Sequence, residues 1–348
     1  MGKPAVDFAT RVVQWQKAHG RNDLPWQNTR DPYRVWLSEI MLQQTQVATV
    51  KDYFARFLVR CPDVASLAAA SLDEVLGLWS GLGYYSRARN LHRCAQDVMQ
   101  LHGGRFPEDA QTLQTLPGIG RSTAAAIASL CFSERIAILD ANVERVVTRV
   151  QGFEADVAVA ANARALWDVA SALLPVPSQA SQDMAGYTQG MMDLGATVCT
   201  PKKPLCAQCP VQDLCAAAKS GDPTRFPVRS RKIKRSSQAI WMLWAHTRSG
   251  EIWLARRPTP GVWAGLHCLP LFDSEQALRL ALPPDALKLL QCEPAFVHVL
   301  THKDLHLHAC RVLVTSTTSL GDGRWVSAGE WPGLGLPAPI RKLLARES

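Results

Sequence analysis

The chain of 348 residues is 47% hydrophobic and carries 38 Lys and Arg against 30 Asp and Glu, a net charge of +8. That length exceeds one ordinary core and fits two domains, while the basic excess favours a polyanionic partner such as nucleic acid. The start, Met1 to Asp7, lacks the apolar core of a signal peptide, and no run of about twenty apolar residues exists for a membrane span, so a cytoplasmic, nucleoid-associated protein without a membrane partner is expected.

From Ala5 to about Lys219 apolar residues recur at helical spacing, as in Val35, Trp36, Ile40, Val47, Val50, Tyr53 and Phe54, which predicts an all-helical part. Within the segment Trp36 to Val47, Glu39 sits in a strongly apolar helix, where desolvation should raise the pKa of a carboxyl group. Further on, Gly81 to Arg89 offers Arg87 and Arg89 as phosphate ligands. In Leu116-Pro117-Gly118-Ile119-Gly120-Arg121-Ser122-Thr123, Gly118 and Gly120 form a tight turn that opens a helix of small residues, so backbone can approach a ligand and free N–H groups can face an anion. The Gly-Lys-Ser/Thr of a nucleotide-binding loop is absent there. Asp140 follows the apolar run Ile138-Leu139 at an expected helix start, a position that a plain N-cap also explains.

Cys199, Cys206, Cys209 and Cys215 follow, with six, two and five residues between them. Thiolates at that range converge on a metal centre: a [4Fe-4S] cluster takes four cysteines, and a tetrahedral zinc would use the same four. Disulfides rarely persist in the cytosol. The intervening Thr200-Pro201-Lys202-Lys203-Pro204 sets positive charge beside the metal, which suits a loop facing phosphate. The six other cysteines (Cys61, Cys94, Cys131, Cys268, Cys292, Cys310) read as small apolar core residues. Residues 221–237, with Pro223, Pro227 and the run Arg229 to Arg235, form a basic linker that could track along a phosphate backbone. Beyond it, Ala239 to Trp244 and Ile252 to Leu254 flank Arg248-Ser249-Gly250 as a hairpin, and His306 to Val314 and Arg324 to Val326 predict further strands. The division is therefore a helical domain at 1–220, a linker at 221–237 and a small α+β domain at 238–348.

The order of glycine turn, Asp140 and four-cysteine loop resembles the endonuclease III, or helix-hairpin-helix, superfamily of DNA glycosylases through nearly the whole helical part. Leu24-Pro25-Trp26 together with Trp36 to Val47 narrows the resemblance to adenine DNA glycosylases of the MutY type. This implies a [4Fe-4S] cluster on the four cysteines and a hairpin, with Gly118 and Gly120, gripping a DNA phosphate. Glu39 would be the general acid that protonates adenine and activates water, and Asp140 would stabilise the oxocarbenium-like sugar, electrostatically or by transient attachment, as in the carboxylate pairs of glycosidases. Bifunctional members carry a Schiff-base lysine where this chain has Ser122, so hydrolysis without efficient strand cleavage is implied. Ala141 replaces a frequent family glycine, and Asn142 is retained. The target base must leave the stack; the resemblance assigns the wedge to Gln44 and Tyr84 and the adenine pocket to Trp26 and Gln189. The implied partner of a monomeric enzyme is double-stranded DNA with adenine opposite 8-oxoguanine or guanine. The rivals are an endonuclease III-like glycosylase/lyase on oxidised pyrimidines or mismatched thymine, and a non-enzymatic iron–sulfur DNA-binding or redox-sensing protein.

Leu254 to Pro258 and Gly261 to Pro270 resemble the MutT-like (Nudix-like) C-terminal domain of the same family. The helix expected after Pro270 offers Glu275-Gln276-Ala277-Leu278-Arg279-Leu280 and no glutamate cluster for magnesium, so a non-hydrolytic reader is implied. The family's Phe-Ser-His lesion loop is matched by Leu300-Thr301-His302: Thr301 keeps a hydroxyl and His302 the imidazole, without the aromatic ring. His302, His306 and His308 read as strand-face or surface histidines before a metal site.

Overall fold

The computed structural model describes residues 4–230 and 235–346, with side chains from Phe8 onward. They fall into two compact units: Met1–Leu58, Pro62–Ala68 and Arg93–Arg231 form the first, and Val59–Cys61, Ala69–His92 and Lys232–Ser348 the second. Among the described residues no helix is long and apolar enough to cross a membrane.

The first unit is helical. Phe8, Val12 and Val13 of helix Pro4–His19 meet Met184, Tyr187 and Met191 of helix Ala180–Asp193, and Val143, Val146 and Val147 of helix Ala141–Gln151 complete the same core. Each such side chain contributes about 1.5–3 kcal/mol when fully buried. The first pair of helices approaches closely because Gly190 lacks a Cβ, which would stand 2.8 Å from Val12 Cγ1. Helix Pro32–Leu42 starts where its sequence dictates: Asp31 accepts the Tyr33 N–H at 3.0 Å, and Pro32 occupies the first turn, where a missing N–H costs nothing.

The second unit is built on a mixed sheet. Strands Ser236–His246 and Lys303–Leu313 run parallel at its centre, in register from Ser236 opposite Lys303 to His246 opposite Leu313. The expected hairpin is present, with Ile252–Arg256 antiparallel to the first strand and Arg324–Val326 alongside it. Alternation sends Ile240, Met242, Leu305 and Leu307 into one core with Trp331 and Ile340, and Leu243, Ala245 and Val312 into another with Leu278 and Leu282. Both faces of the central pair are thus covered, as a parallel pair requires.

Two expectations change, and the linker gains partners. Residues 69–92 belong to the second unit rather than the helical one: Tyr85 Oη and Ser80 Oγ donate to the Leu336 carbonyl at 2.8 and 3.1 Å, and a Cβ on Gly77 would stand 2.2 Å from the Gly333 carbonyl oxygen. Cys292 and Cys310 are not single apolar residues, because strand register places them opposite each other and they form a disulfide, with Cys292 exposed. Cys61, Cys94, Cys131 and Cys268 are buried as expected. In the basic linker, Arg225 and Arg229 pair with Glu154 and Glu144 at 2.7 and 2.5 Å, and both arginine side chains stay largely exposed. Arg231, Lys232, Ile233 and Lys234 lie outside the described residues.

Candidate active site

Glu39 projects from a helix whose neighbours Val35, Trp36, Leu37, Ser38, Ile40 and Met41 are all buried. Burial pushes its pKa from 4.5 to about 7, and the negative charge of Asp140 adds to the rise. Asp140 caps helix Ala141–Gln151, accepting the Val143 N–H on Oδ1 at 2.7 Å. Burial raises its pKa, against the lowering effect of the Val143 and Asn142 hydrogen bonds and of Arg145. The two readings of Asp140 are therefore compatible: one carboxylate both caps the helix and stands near enough for its charge to act on Glu39. Asn142 Nδ2 lies 3.5 Å from Asp140 Oδ2.

The expected hairpin turn sits beside them. Gly118 adopts φ +78°, a conformation that favours glycine, and Gly120 caps helix Arg121–Phe132 without a side-chain bond. A Cβ on Gly120 would meet nothing within 4 Å, so its outer side is open to an approaching ligand. Ser122 Oγ accepts the Leu139 N–H at 3.2 Å, tying the hairpin's second helix to the segment that delivers Asp140.

Trp26 and Gln189 line one cavity of about 300 Å³ together with Gln27, Arg30, Val35 and Gly186. Val35 stands one helical turn before Glu39, and Trp26 packs edge-on against Phe54 at 5.4 Å. Gln44 and Tyr84 are both exposed and both hold left-handed backbone, φ +58° and +48°, which points to an imposed conformation in residues of this size.

In the second unit Tyr84 Oη and Thr301 Oγ1 share a hydrogen bond, and both line a cavity of about 560 Å³ with Trp263, Leu300 and His302. Thr301 and His302 are exposed. Arg87, expected to meet phosphate, is instead buried: its guanidinium donates to the Leu82 and Gly83 carbonyls and packs on Trp79 and Tyr84. It shapes the Tyr84 turn. Arg89 likewise turns inward, donating to the Ala264 carbonyl at 2.7 Å. His306 is exposed, and His308 stacks on Trp241 at 4.3 Å across the central strands.

The four cysteines line one apolar cavity with Val146, Val198 and Val211. Among the described residues no three Cys, His, Asp or Glu side chains converge as they would on a single ion. Four thiols lining one cavity suit a group that takes four cysteine ligands. Two arginines missed in the sequence brace this loop. Arg149 is buried and donates to the Thr200, Pro201 and Phe226 carbonyls, with Nη1 3.4 Å from Cys199 Sγ. Arg145 donates to the carbonyls of Cys199 and Gly195 at 2.7 and 2.6 Å. Their four-residue spacing on the helix begun by Asp140 was the available signal. A π-helical turn at Leu194–Val198 extends the Gln189 helix into the cysteine loop.

Comparison with known sequences and structures agrees with this arrangement. Residues 37–170 match the HhH-GPD superfamily of base excision DNA repair proteins, 199–215 the iron-sulfur binding domain of endonuclease III, and 240–346 a NUDIX domain. The cysteine loop therefore holds an iron–sulfur cluster. The adenine DNA glycosylase of Buchnera aphidicola subsp. Acyrthosiphon pisum (strain APS) is 33% identical over 97% of this chain and 96% of its own. The adenine DNA glycosylase of Homo sapiens is 45% identical over 97% of this chain and 73% of its own. The structure of a thermostable thymine-DNA glycosylase superposes with a TM-score of 0.54 at 29% identity, covering 61% of this chain and 95% of that one. Matched from end to end by relatives of one kind, the chain belongs to the adenine DNA glycosylase family.

Proposed function

We propose that this chain is a monofunctional glycosylase of base excision repair that hydrolyses the N-glycosidic bond of adenine mispaired with 8-oxoguanine or guanine. It acts as a monomer on double-stranded DNA of the nucleoid in the cytoplasm. The observation that carries this reading is the Glu39–Asp140 pair, one carboxyl with a pKa raised to about 7 by burial and by the charge of a second carboxylate held at a helix start. Glu39 passes its proton to a ring nitrogen of the flipped adenine, and the bonding electrons of the glycosidic bond leave with the base. The sugar becomes oxocarbenium-like, and Asp140 stabilises that positive charge. Glu39, now a carboxylate, takes a proton from water as the oxygen adds to the sugar carbon. The products are adenine and an abasic site. Ser122 brings no amine to form a Schiff base, so the strand stays intact.

Trp26 and Gln189 line the pocket for the flipped base, and Gln44 and Tyr84 fill the space it leaves. Gly118, Gly120 and Asn142 hold the backbone around the abasic strand. Tyr84, Thr301 and His302 read the opposite base from the second unit, which performs no hydrolysis of its own; Glu275 is engaged by Arg279 at 2.7 Å. The functional modules are residues 1–220 and 238–348, joined by 221–237, with residues 69–92 grouped by their packing with the second unit. The cluster braces the loop that presents the exposed Lys202 and Lys203 to phosphate.

Single-turnover cleavage of duplexes carrying A opposite 8-oxoguanine, A opposite G, A opposite T, and thymine glycol opposite A tests this reading. Strand breaks only after alkali, fastest for A opposite 8-oxoguanine, are expected. Breaks without alkali at thymine glycol would establish the pyrimidine-specific rival.

A further inference from the structure

The cavity that holds Trp26 and Gln189 has a hydrogen-bonding polarity set by a buried ion pair behind it. Gln189 Nε2 donates to Asp193 Oδ1 at 2.9 Å, one turn along the same helix. Asp193 is fully buried and is held by Arg21: Nη2 and Nε lie 2.7 and 2.8 Å from Oδ1, and the Arg21 backbone N–H lies 3.0 Å from Oδ2. A carboxylate held in this way only accepts. The Gln189 amide therefore has one orientation, nitrogen toward Asp193, which leaves Oε1 as the atom free to face a ligand. Gln27, on the same cavity, has the opposite bias. Its Oε1 accepts the Leu24 N–H at 3.3 Å, while its Nε2 is buried with no hydrogen-bond partner. An unpaired buried N–H is costly until a ligand supplies an acceptor.

We propose that Asp193 and Arg21 are specificity-positioning residues: by fixing the Gln189 amide beside the Gln27 donor, they make the cavity complementary to a 6-aminopurine and reject a 6-oxopurine. A 6-aminopurine presents an exocyclic N–H donor next to a ring-nitrogen acceptor. A 6-oxopurine presents an acceptor at that exocyclic position and meets Gln189 Oε1 with like polarity. The inference rests on the reading of this cavity as the adenine pocket.

The test is single-turnover excision of adenine, hypoxanthine and unsubstituted purine, each opposite guanine, by the full chain with its cluster. The variants are Asp193→Asn, whose amide can turn either its oxygen or its nitrogen to Gln189, and Gln27→Met, similar in size but with no donor. Asp193→Asn should shrink the adenine:hypoxanthine rate ratio by about tenfold or more, the scale of one paired base contact, and narrow the adenine:purine ratio with it. Gln27→Met should slow adenine and purine alike, because both carry the ring acceptor. If Asp193→Asn slows all three bases equally, Asp193 only supports the fold and the proposal fails. If Asp193→Asn does not fold, Gln27→Met decides: an unchanged adenine rate overturns the proposal. A wild-type chain that releases no adenine from any duplex overturns the functional reading, and this inference with it.

Discussion

Glu39 ties catalysis to stability through one proton. Its folded-state pKa near 7 stands above its ordinary value of 4.5, so the folded chain holds this proton more tightly than the unfolded chain does. The stability associated with it is fully present below about pH 4.5 and is lost as pH rises through 7. Glu39→Gln removes the ionisation. The variant should match the wild type in denaturant unfolding at low pH and exceed it by up to roughly 3 kcal/mol at pH 8, at about 1.4 kcal/mol per pH decade. Its excision rate should fall by about 10²–10⁴-fold, the usual contribution of a positioned acid. Wild-type excision should itself decline above pH 7 as the proton is lost. A variant no more stable than wild type at pH 8 would argue that Glu39 is not the buried acid described. Asp140 permits a sharper separation, because asparagine caps helices as well as aspartate does. Asp140→Asn should keep the Val143 bond and a melting temperature no lower than wild type, since burial disfavours the charge it removes, while excision drops about 10²–10³-fold, the scale of one lost electrostatic stabiliser. Parallel losses of both would mean that capping is its whole role.

Helix Ala141–Gln151 joins the two chemistries of the first unit, with Asp140 at its start and Arg145 and Arg149 gripping the cysteine loop from its side. Its position depends on Gly195 in the π-helical turn, where a Cβ would stand 2.7 Å from Asn142 Cβ and 2.8 Å from the Asn142 carbonyl oxygen. Gly195→Ala should cost about 1–3 kcal/mol by overpacking and should lower single-turnover excision beyond what the lost stability explains, since the displaced atoms adjoin Asp140. Wild-type activity in that variant would show that the helix start can shift without consequence.

What was legible in the sequence at this scale follows from where the information resides. The cysteine loop, the glycine turn and the hairpin at Arg248-Ser249-Gly250 are local patterns whose spacing carries the chemistry. Residues 69–92 show the same helical periodicity as their neighbours, and nothing local reveals that Ser80 and Tyr85 bond to Leu336. Arg87 looked like a phosphate ligand because charge is visible in sequence, whereas the positive φ at Tyr84 and the carbonyls beneath it are not. The Cys292–Cys310 pair required strand register, a long-range property. Gln189 was found by resemblance, but Asp193 and Arg21, which orient it, are 172 residues apart in the chain.

At the scale of the molecule, the cluster belongs to one unit's core and to neither core of the other. Cys215 is buried among Val146, Val150 and Val211, with Cys199 and Cys209 packed against the same cluster of side chains, whereas the cores around the central strands contain none of the four cysteines. A group that binds the folded state and not the unfolded one stabilises whatever must fold to bind it. Extraction of iron with a chelator should therefore speed amide exchange in helix Ala141–Gln151 and in the Leu194–Val198 turn, where Arg149 and Arg145 lose the loop they hold. Strands Ser236–His246 and Lys303–Leu313 should keep their protection. Hydrogen exchange followed segment by segment on the full chain reads both at once, and joint loss of protection would mean that the units unfold as one. Excision should disappear with the helix although neither Glu39 nor Asp140 belongs to the cysteine loop, because the helix that Arg149 fastens to that loop is the one whose first turn fixes Asp140.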